Sequence, residues 1–209
     1  MGTHGTRGSL TVAAGLLALL VLIATFGLVA CGGSGTAPTD LPTRTTPVAA
    51  FTFPADQKPQ SGAGEGSTGG LEFVPWVDIE VSALGYYDHG QDGLRNDHKV
   101  VIWDYHGVKT VTPTVIVTSA SVLEGQFRYE PIAPVVLKAG TQYVVAFLNI
   151  DGDPGTHPKE VVWAPEIRFV GWRERDGSWG FPSGTWDFLD VSGNFKFLPV
   201  STASPSSSP

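Results

Sequence analysis

Hydrophobic and polar positions alternate along Val77-Asp78-Ile79-Glu80-Val81-Ser82-Ala83-Leu84. That period of two predicts a strand with one buried face. Residues 99–104 (KVVIWD) form a short run rich in β-branched and aromatic side chains. Further runs follow at 108–118, 126–129, 135–137, 142–149, 161–163, 167–170 and 195–200, each bounded by Gly, Pro or Asp. No window carries an apolar stripe of helical period. Eight to ten short strands spaced by turn residues predict an all-β fold, an antiparallel β-sandwich or jelly roll. No repeat with a period of about 20 to 50 residues is present, which argues against a solenoid or propeller.

The folded unit is read as residues 71–200, 130 of the 209. What flanks it has other patterns. Residues 10–30 are one apolar run, preceded by Arg7, the only Lys or Arg before Arg44. A basic head and an apolar core read as an export signal over residues 1–30. The run ends in Leu28-Val29-Ala30-Cys31-Gly32, which resembles the lipobox of bacterial lipoproteins. That resemblance implies cleavage before Cys31, diacylglyceryl attachment to its sulfur, palmitate-type acyl chains and anchoring to a membrane. The bland alternative is an uncleaved signal-anchor helix, since 21 residues just span a bilayer. Either reading puts the rest of the chain outside the cytoplasm. Gly32, rather than Asp, follows the Cys; in a diderm cell this resembles the pattern of outer-membrane lipoproteins.

Between Cys31 and Gly70 the composition turns to Gly, Pro, Ser and Thr, 23 of the 39 residues from 32 to 70. A chain of that composition cannot bury enough apolar surface to offset its ordering entropy, so it is expected to be a flexible linker. Residues 48–54 (VAAFTFP) are the exception, a short apolar strand able to dock on the domain. Residues 62–67 (GAGEGS) resemble a phosphate loop only superficially, lacking a strand, a helix and a Lys around them. The Ser/Pro-rich tail 201–209 is expected to be disordered.

Composition narrows the function. The formal charge is −7, and cleavage after residue 30 leaves 12 basic and 20 acidic residues, a net −8. No nucleic-acid partner is expected of such a chain, because a phosphate backbone requires clustered Lys and Arg. One Cys excludes an internal disulfide and a thiolate metal cluster, and with Met1 as the only Met a blue-copper centre is excluded too.

A set of motifs in the folded unit points to a family. Ala83-Leu84-Gly85-Tyr86-Tyr87-Asp88, Asp92-Gly93-Leu94 and Asn96–Asp104 (NDHKVVIWD) are joined by Phe127-Arg128-Tyr129, residues 136–146 (VLKAGTQYVVA) and Gly193-Asn194-Phe195-Lys196-Phe197. Together these resemble an uncharacterised extracellular β-sandwich domain found in PEP-CTERM-sorted surface proteins and beside Ig-like and carbohydrate-active modules. The resemblance covers most of residues 71–198. It implies a sandwich fold and an extracellular location, and brings no catalytic residues with it. The chain lacks the C-terminal Pro-Glu-Pro sorting motif, and the lipobox would supply surface retention in its place.

Candidate chemistry is sparse. The loop 88–99 carries Asp88, Asp92, Asn96 and Asp97, oxygen donors at a spacing that could hold Ca2+. Gly90 and Lys99 break the helix–loop–helix calcium pattern at its third and twelfth positions, and turns capped by their own Asp and Asn side chains are the alternative. Residues 151–155 (DGDPG) form a second acidic loop. No Gly-x-Ser-x-Gly, His-Glu-x-x-His or free nucleophilic Cys occurs, so the chain is not read as an enzyme. A pair of carboxylates drawn from Asp88, Asp92, Asp104, Glu166 or Asp187 is the only route to a hydrolase.

Aromatic residues are the surplus. Trp103 lies in an apolar strand, a core position. Residues 171–187 (GWRERDGSWGFPSGTWD) carry Trp172, Trp179, Phe181 and Trp186 among Gly, Pro and charges that forbid a helix. They either stack against sugar rings or fold back to plug the sandwich. The function expected is a membrane-anchored, non-catalytic binding module for a polysaccharide or envelope glycan. An adhesion module for a surface protein and a small glycan hydrolase are the alternatives. Glycan binding predicts coplanar exposed rings, protein binding an apolar patch or unpaired edge strand, and a hydrolase two facing carboxylates.

Overall fold

The computed structural model describes residues 36–54, 59–60, 66–185 and 190–200. Residues 1–35 with Cys31, together with Trp186, Asp187 and the residues from 201, lie outside them. In chain order the strands are β1 (Val48–Ala49), β2 (Phe51–Thr52), β3 (Pro59–Gln60), β4 (Thr68–Pro75), β5 (Ile79–Tyr87), β6 (His98–Asp104), β7 (Lys109–Thr110), β8 (Val115–Val117), β9 (Val122–Glu124), β10 (Phe127–Leu137), β11 (Tyr143–Leu148), β12 (Gly155–Thr156), β13 (Val162–Trp163), β14 (Ile167–Arg175), β15 (Gly184–Thr185) and β16 (Gly193–Pro199). The fold is the expected antiparallel β-sandwich. One sheet runs β1-β16-β5-β10-β9, and the other runs β15-β14-β4-β11-β6-β7 with β8 also on β6.

Successive long strands switch sheets, β4 to β5 to β6 and β10 to β11, so both inner faces are built from neighbouring sequence. Leu71 and Phe73, Ile79 and Val81, Val100 and Ile102, Val145 and Phe147, and Phe195 and Phe197 all fall at every second position and fill the core. β5 begins with the predicted alternation and then becomes buried at every residue from Ala83 to Tyr87. A register shift against β16 between Lys196 and Phe197 moves the inward positions from Ile79 and Val81 to Leu84 and Tyr86. Gly85 and Tyr87 then face outward beside Tyr129 and Phe127, their partners on β10. A Cβ on Gly85 would stand 2.5 Å from the Tyr129 ring, so only glycine lets that ring lie across the strand.

The outward aromatic cluster is covered by the N-terminal segment. Ala50 and Phe51 are fully buried and Phe53 nearly so. Phe51 meets Phe127 edge-on at 5.7 Å, and Phe53 meets Tyr87 at 5.5 Å. The apolar exception at residues 48–54 is therefore integral to the fold. Further upstream, Arg44 pairs with the buried Glu166 carboxylate at 2.6 and 3.2 Å. Thr68–Gly70, placed by composition in the linker, open the central strand β4 and are buried. Chain entropy reasoning fails there because tertiary pairing on both sides, with β11 and β14, overrides the glycine content.

Candidate functional site

The second sheet has an outer face with its own hydrophobic cluster. On β6, Val100 and Ile102 point to the core, so Val101 and Trp103 point away from it. Val144 and Ala146 on β11 sit opposite Trp103 and Val101. Trp103, Tyr105, Trp179 and Phe181, each half-buried, pack against these small residues. Trp103 is thus not in the main core: an apolar strand of a sandwich has two faces, and its parity puts the indole outside.

The turn after β14 folds back onto this face. Thr68 donates its hydroxyl to the Ser178 carbonyl at 2.9 Å and accepts the Gly180 N–H at 3.2 Å, which fixes the turn beside the sheet. Pro182 seats over Gly70, where a Cβ would stand 2.8 Å from the proline ring. Phe181 then reaches Trp103 at 5.7 Å and Tyr105 at 6.0 Å. The rings are inclined by 68° and 55°, not coplanar, so they form a tilted cradle and not the flat strip expected of an extended glycan platform.

A polar network borders the rings. Glu72 accepts from Arg173 at 2.5 Å and from Gln142, and Arg173 also donates to the Tyr105 hydroxyl at 2.6 Å while lying 4.6 Å from the centre of that ring. Lys99 stands 5.8 Å from the centre of the Trp179 ring. Arg175 donates to the Ser178 hydroxyl at 3.0 Å.

Of the predicted ligand residues, Trp179 and Phe181 come together here. Trp172 does not: it pairs with Leu71, turns to the opposite face and packs against the main core. Its indole N–H is buried without a partner among the described residues. The seven-residue spacing hides this, because Trp172 lies within strand β14 and Trp179 in the turn beyond it. Trp186 lies outside the described residues. Trp103, Tyr105 and Arg173 were missed as site residues; the signal for the first two was the period of two in residues 99–105.

The four candidate calcium ligands are held by other partners or stand apart. The Asp88 carboxylate is buried, bonded to Arg128 at 2.6 Å and to the Gly93 N–H at 3.2 and 3.3 Å. Asn96 donates to the Asp151 carbonyl at 2.7 Å, while Asp92 and Asp97 are exposed. Among the described residues no three His, Cys, Asp or Glu side chains are placed to share a metal ion. The two acidic loops instead fasten each other. Asp153 accepts the N–H groups of Arg95 and Asn96, each at 2.8 Å, and lies 3.0 Å from His98 Nε2. The His98 ring stacks on Tyr86 at 3.6 Å and its Nδ1 donates to the Leu148 carbonyl at 2.9 Å. The hydrolase candidates are likewise engaged separately: Glu166 with Arg44, Asp88 with Arg128, and Asp104 with the Gly107 N–H at 2.8 Å.

Beneath these loops Asp190 is buried, accepting from the Ser192 N–H at 3.0 Å, the Ser192 hydroxyl and the Asn149 amide at 3.3 Å. Burial pushes its carboxyl up from the usual carboxylate range, because desolvation outweighs those bonds. The sign follows. The folded state binds this proton more tightly than the unfolded chain does. Asp190's contribution to stability is present below the unfolded carboxyl's value, about pH 4, and is lost as pH rises from there through the raised folded value. Asp190→Asn cannot ionise. The stability of the Asn variant relative to the parent should therefore rise as pH increases from about 4. Denaturant titrations across that increase check it, and a constant gap would refute the assignment.

A second concavity, about 540 Å3, opens between the N-terminal segment and the β9–β10 turn, with Phe51, Phe53 and Phe127 in its wall and Gln91, Glu124 and Gln126 at its rim. No family model matches the chain, and no curated protein matches it significantly.

Proposed function

We propose that this chain is a lipid-anchored, extracytoplasmic and non-catalytic binding module that holds a polysaccharide or envelope glycan on the outer face of its second sheet. One observation carries the reading: Trp103, Tyr105, Trp179 and Phe181 gather on that face, part-exposed, around a network of Arg173, Glu72 and Gln142. Sugars are bound through the apolar C–H face of a pyranose on an aromatic ring and through hydroxyls on amide, carboxylate and guanidinium groups. This face has both kinds of group side by side. The lipobox resemblance at Cys31 and the extracellular β-sandwich resemblance support the address.

The test is a glycan array probed with the full chain and with Trp179→Ala. The parent is expected to retain a small set of glycans, and the variant to lose several-fold to about tenfold in affinity for them, since an aromatic contact of this kind contributes about 0.5–1.5 kcal/mol beyond its buried area. An empty array, or retention unaffected by the variant, would overturn the reading. A protein-adhesion role has one observation in its favour. β9 is an edge strand of the first sheet, and Val122 on it is well exposed. An empty array together with β-strand pairing to a peptide at that edge would favour it.

A further inference from the structure

The chain as a whole is acidic, yet the outer face of the second sheet is not. Period-two placement puts Lys99, Arg168, Arg173 and Arg175 on that face, Arg168 beside Trp76, with Glu72 as the carboxylate among the same strands. Four cations against one carboxylate leave the face positive, and Arg173 is the cation Glu72 takes. Neither Lys99 nor Arg175 has a carboxylate partner among the described residues. Asp176, at the tip of the adjoining turn, pairs with neither. Both cations border Trp179: Lys99 stands 5.8 Å from its ring centre, and Arg175 is bonded to Ser178, the residue before it.

We infer that the ligand of this face is an acidic sugar, one whose pyranose ring carries its own carboxylate, as a uronic acid residue does. The inference rests on the glycan reading above and narrows it. The tilted rings offer one sugar-sized contact rather than a strip, so ring and charge must be supplied by one residue of the ligand. A uronate meets that demand: its C–H face lies on Trp179 while the carboxylate at C5 projects from the ring edge toward Lys99 and Arg175. A linear alditol phosphate brings charge without a ring. Single-stranded nucleic acid brings both, but on different groups: the ring that stacks is the base, and the charge sits on the backbone phosphate, so one unit does not present ring and charge together.

The experiment titrates the full chain with an oligogalacturonate, with the same oligomer after its carboxyls are reduced to alcohols, with a poly(glycerol phosphate) and with single-stranded DNA, following tryptophan fluorescence. The oligogalacturonate is expected to bind about tenfold or more tightly than its reduced counterpart, and less tightly as salt rises from about 50 to about 300 mM. Lys99→Gln with Arg175→Gln should abolish the difference between the two oligomers while leaving the melting midpoint unchanged. Trp179→Ala should weaken both. Equal binding of both oligomers, untouched by the charge substitutions, overturns the acidic-sugar inference and leaves the glycan reading standing. Binding of neither oligomer, with an empty array, overturns both. Poly(glycerol phosphate) or DNA binding as tightly as the oligogalacturonate overturns the sugar-carboxylate class.

Discussion

Arg128→Ala is expected to destabilise the protein by about 3–5 kcal/mol. Its guanidinium supplies the positive charge facing Asp88, 2.6 Å away, and the Asp88 side chain is only 1% exposed. Among the described residues the remaining donor to that carboxylate is the Gly93 N–H. Arg128 also donates to the carbonyls of Ser119 and Ser121, at 2.7 and 3.1 Å, so its loss takes a donor from three acceptors together. The pair as a whole contributes much less than this, because burying two charges costs most of what their attraction returns. Asp88→Asn with Arg128→Ala should therefore recover a large part of the loss, since an amide does not leave a bare charge in the interior. Guanidinium titrations at unchanged slope measure both. A loss below about 1 kcal/mol for Arg128→Ala would show that water reaches the carboxylate.

That pair illustrates how far the sequence could be read. Asp88 was legible as a residue of special chemistry, because an acid at the end of an apolar strand, followed by Gly and Asp, stands out. Its partner was not. Arg128 is 40 positions away on a strand whose alternation shows only that one face is polar. The strand Val77–Leu84 was legible because half-burial imprints a period of two. The full burial from Ala83 onward was not, since it depends on a register shift and on a segment some 30 residues upstream lying over the sheet. The sandwich itself follows from turn residues at short intervals, a local signal. Which side of the sheet a tryptophan takes is also local in principle: Trp103 follows Val100 and Ile102 in strict parity. The separation of Trp172 from Trp179 is not local, because it requires knowing where β14 ends and its turn begins.

The outer faces of the two sheets share a design. Each is closed by a segment that brings aromatic rings, residues 50–53 with strand β2 on the first sheet and the turn at residues 178–182 on the second. The difference is depth. Phe51 is 1% exposed and Phe53 is 7% exposed, whereas Trp179 and Phe181 remain half open. A cover that buries its rings contributes to stability; one that leaves them open has contact area still available to a ligand. This contrast is the physical reason for proposing that binding falls on the second sheet and structural closure on the first.

Phe51→Ala tests the structural half of that contrast and should cost about 3–5 kcal/mol. The ring touches Trp163 at 4.7 Å, Phe127 at 5.7 Å and Phe53 at 6.4 Å, so its removal opens a cavity among other rings that are themselves pinned by strands. The backbone around it is fixed on two sides. Ala50 donates to the Phe195 carbonyl and accepts from Ala164, each at 2.9 Å, and the Phe51 carbonyl accepts the Asn194 amide at 3.0 Å. Those bonds limit how far the segment can sink to refill the space. Phe51→Leu, which keeps much of the volume, should cost less than half as much. The size of the alanine effect decides what the segment is. A docked but dispensable arm would detach locally in the variant, and global stability read by denaturant would fall by under about 1 kcal/mol. A loss of several kcal/mol in one cooperative transition means the fold begins upstream of the Gly-rich stretch, with Arg44 and residues 48–53 as much a part of the sandwich as β4.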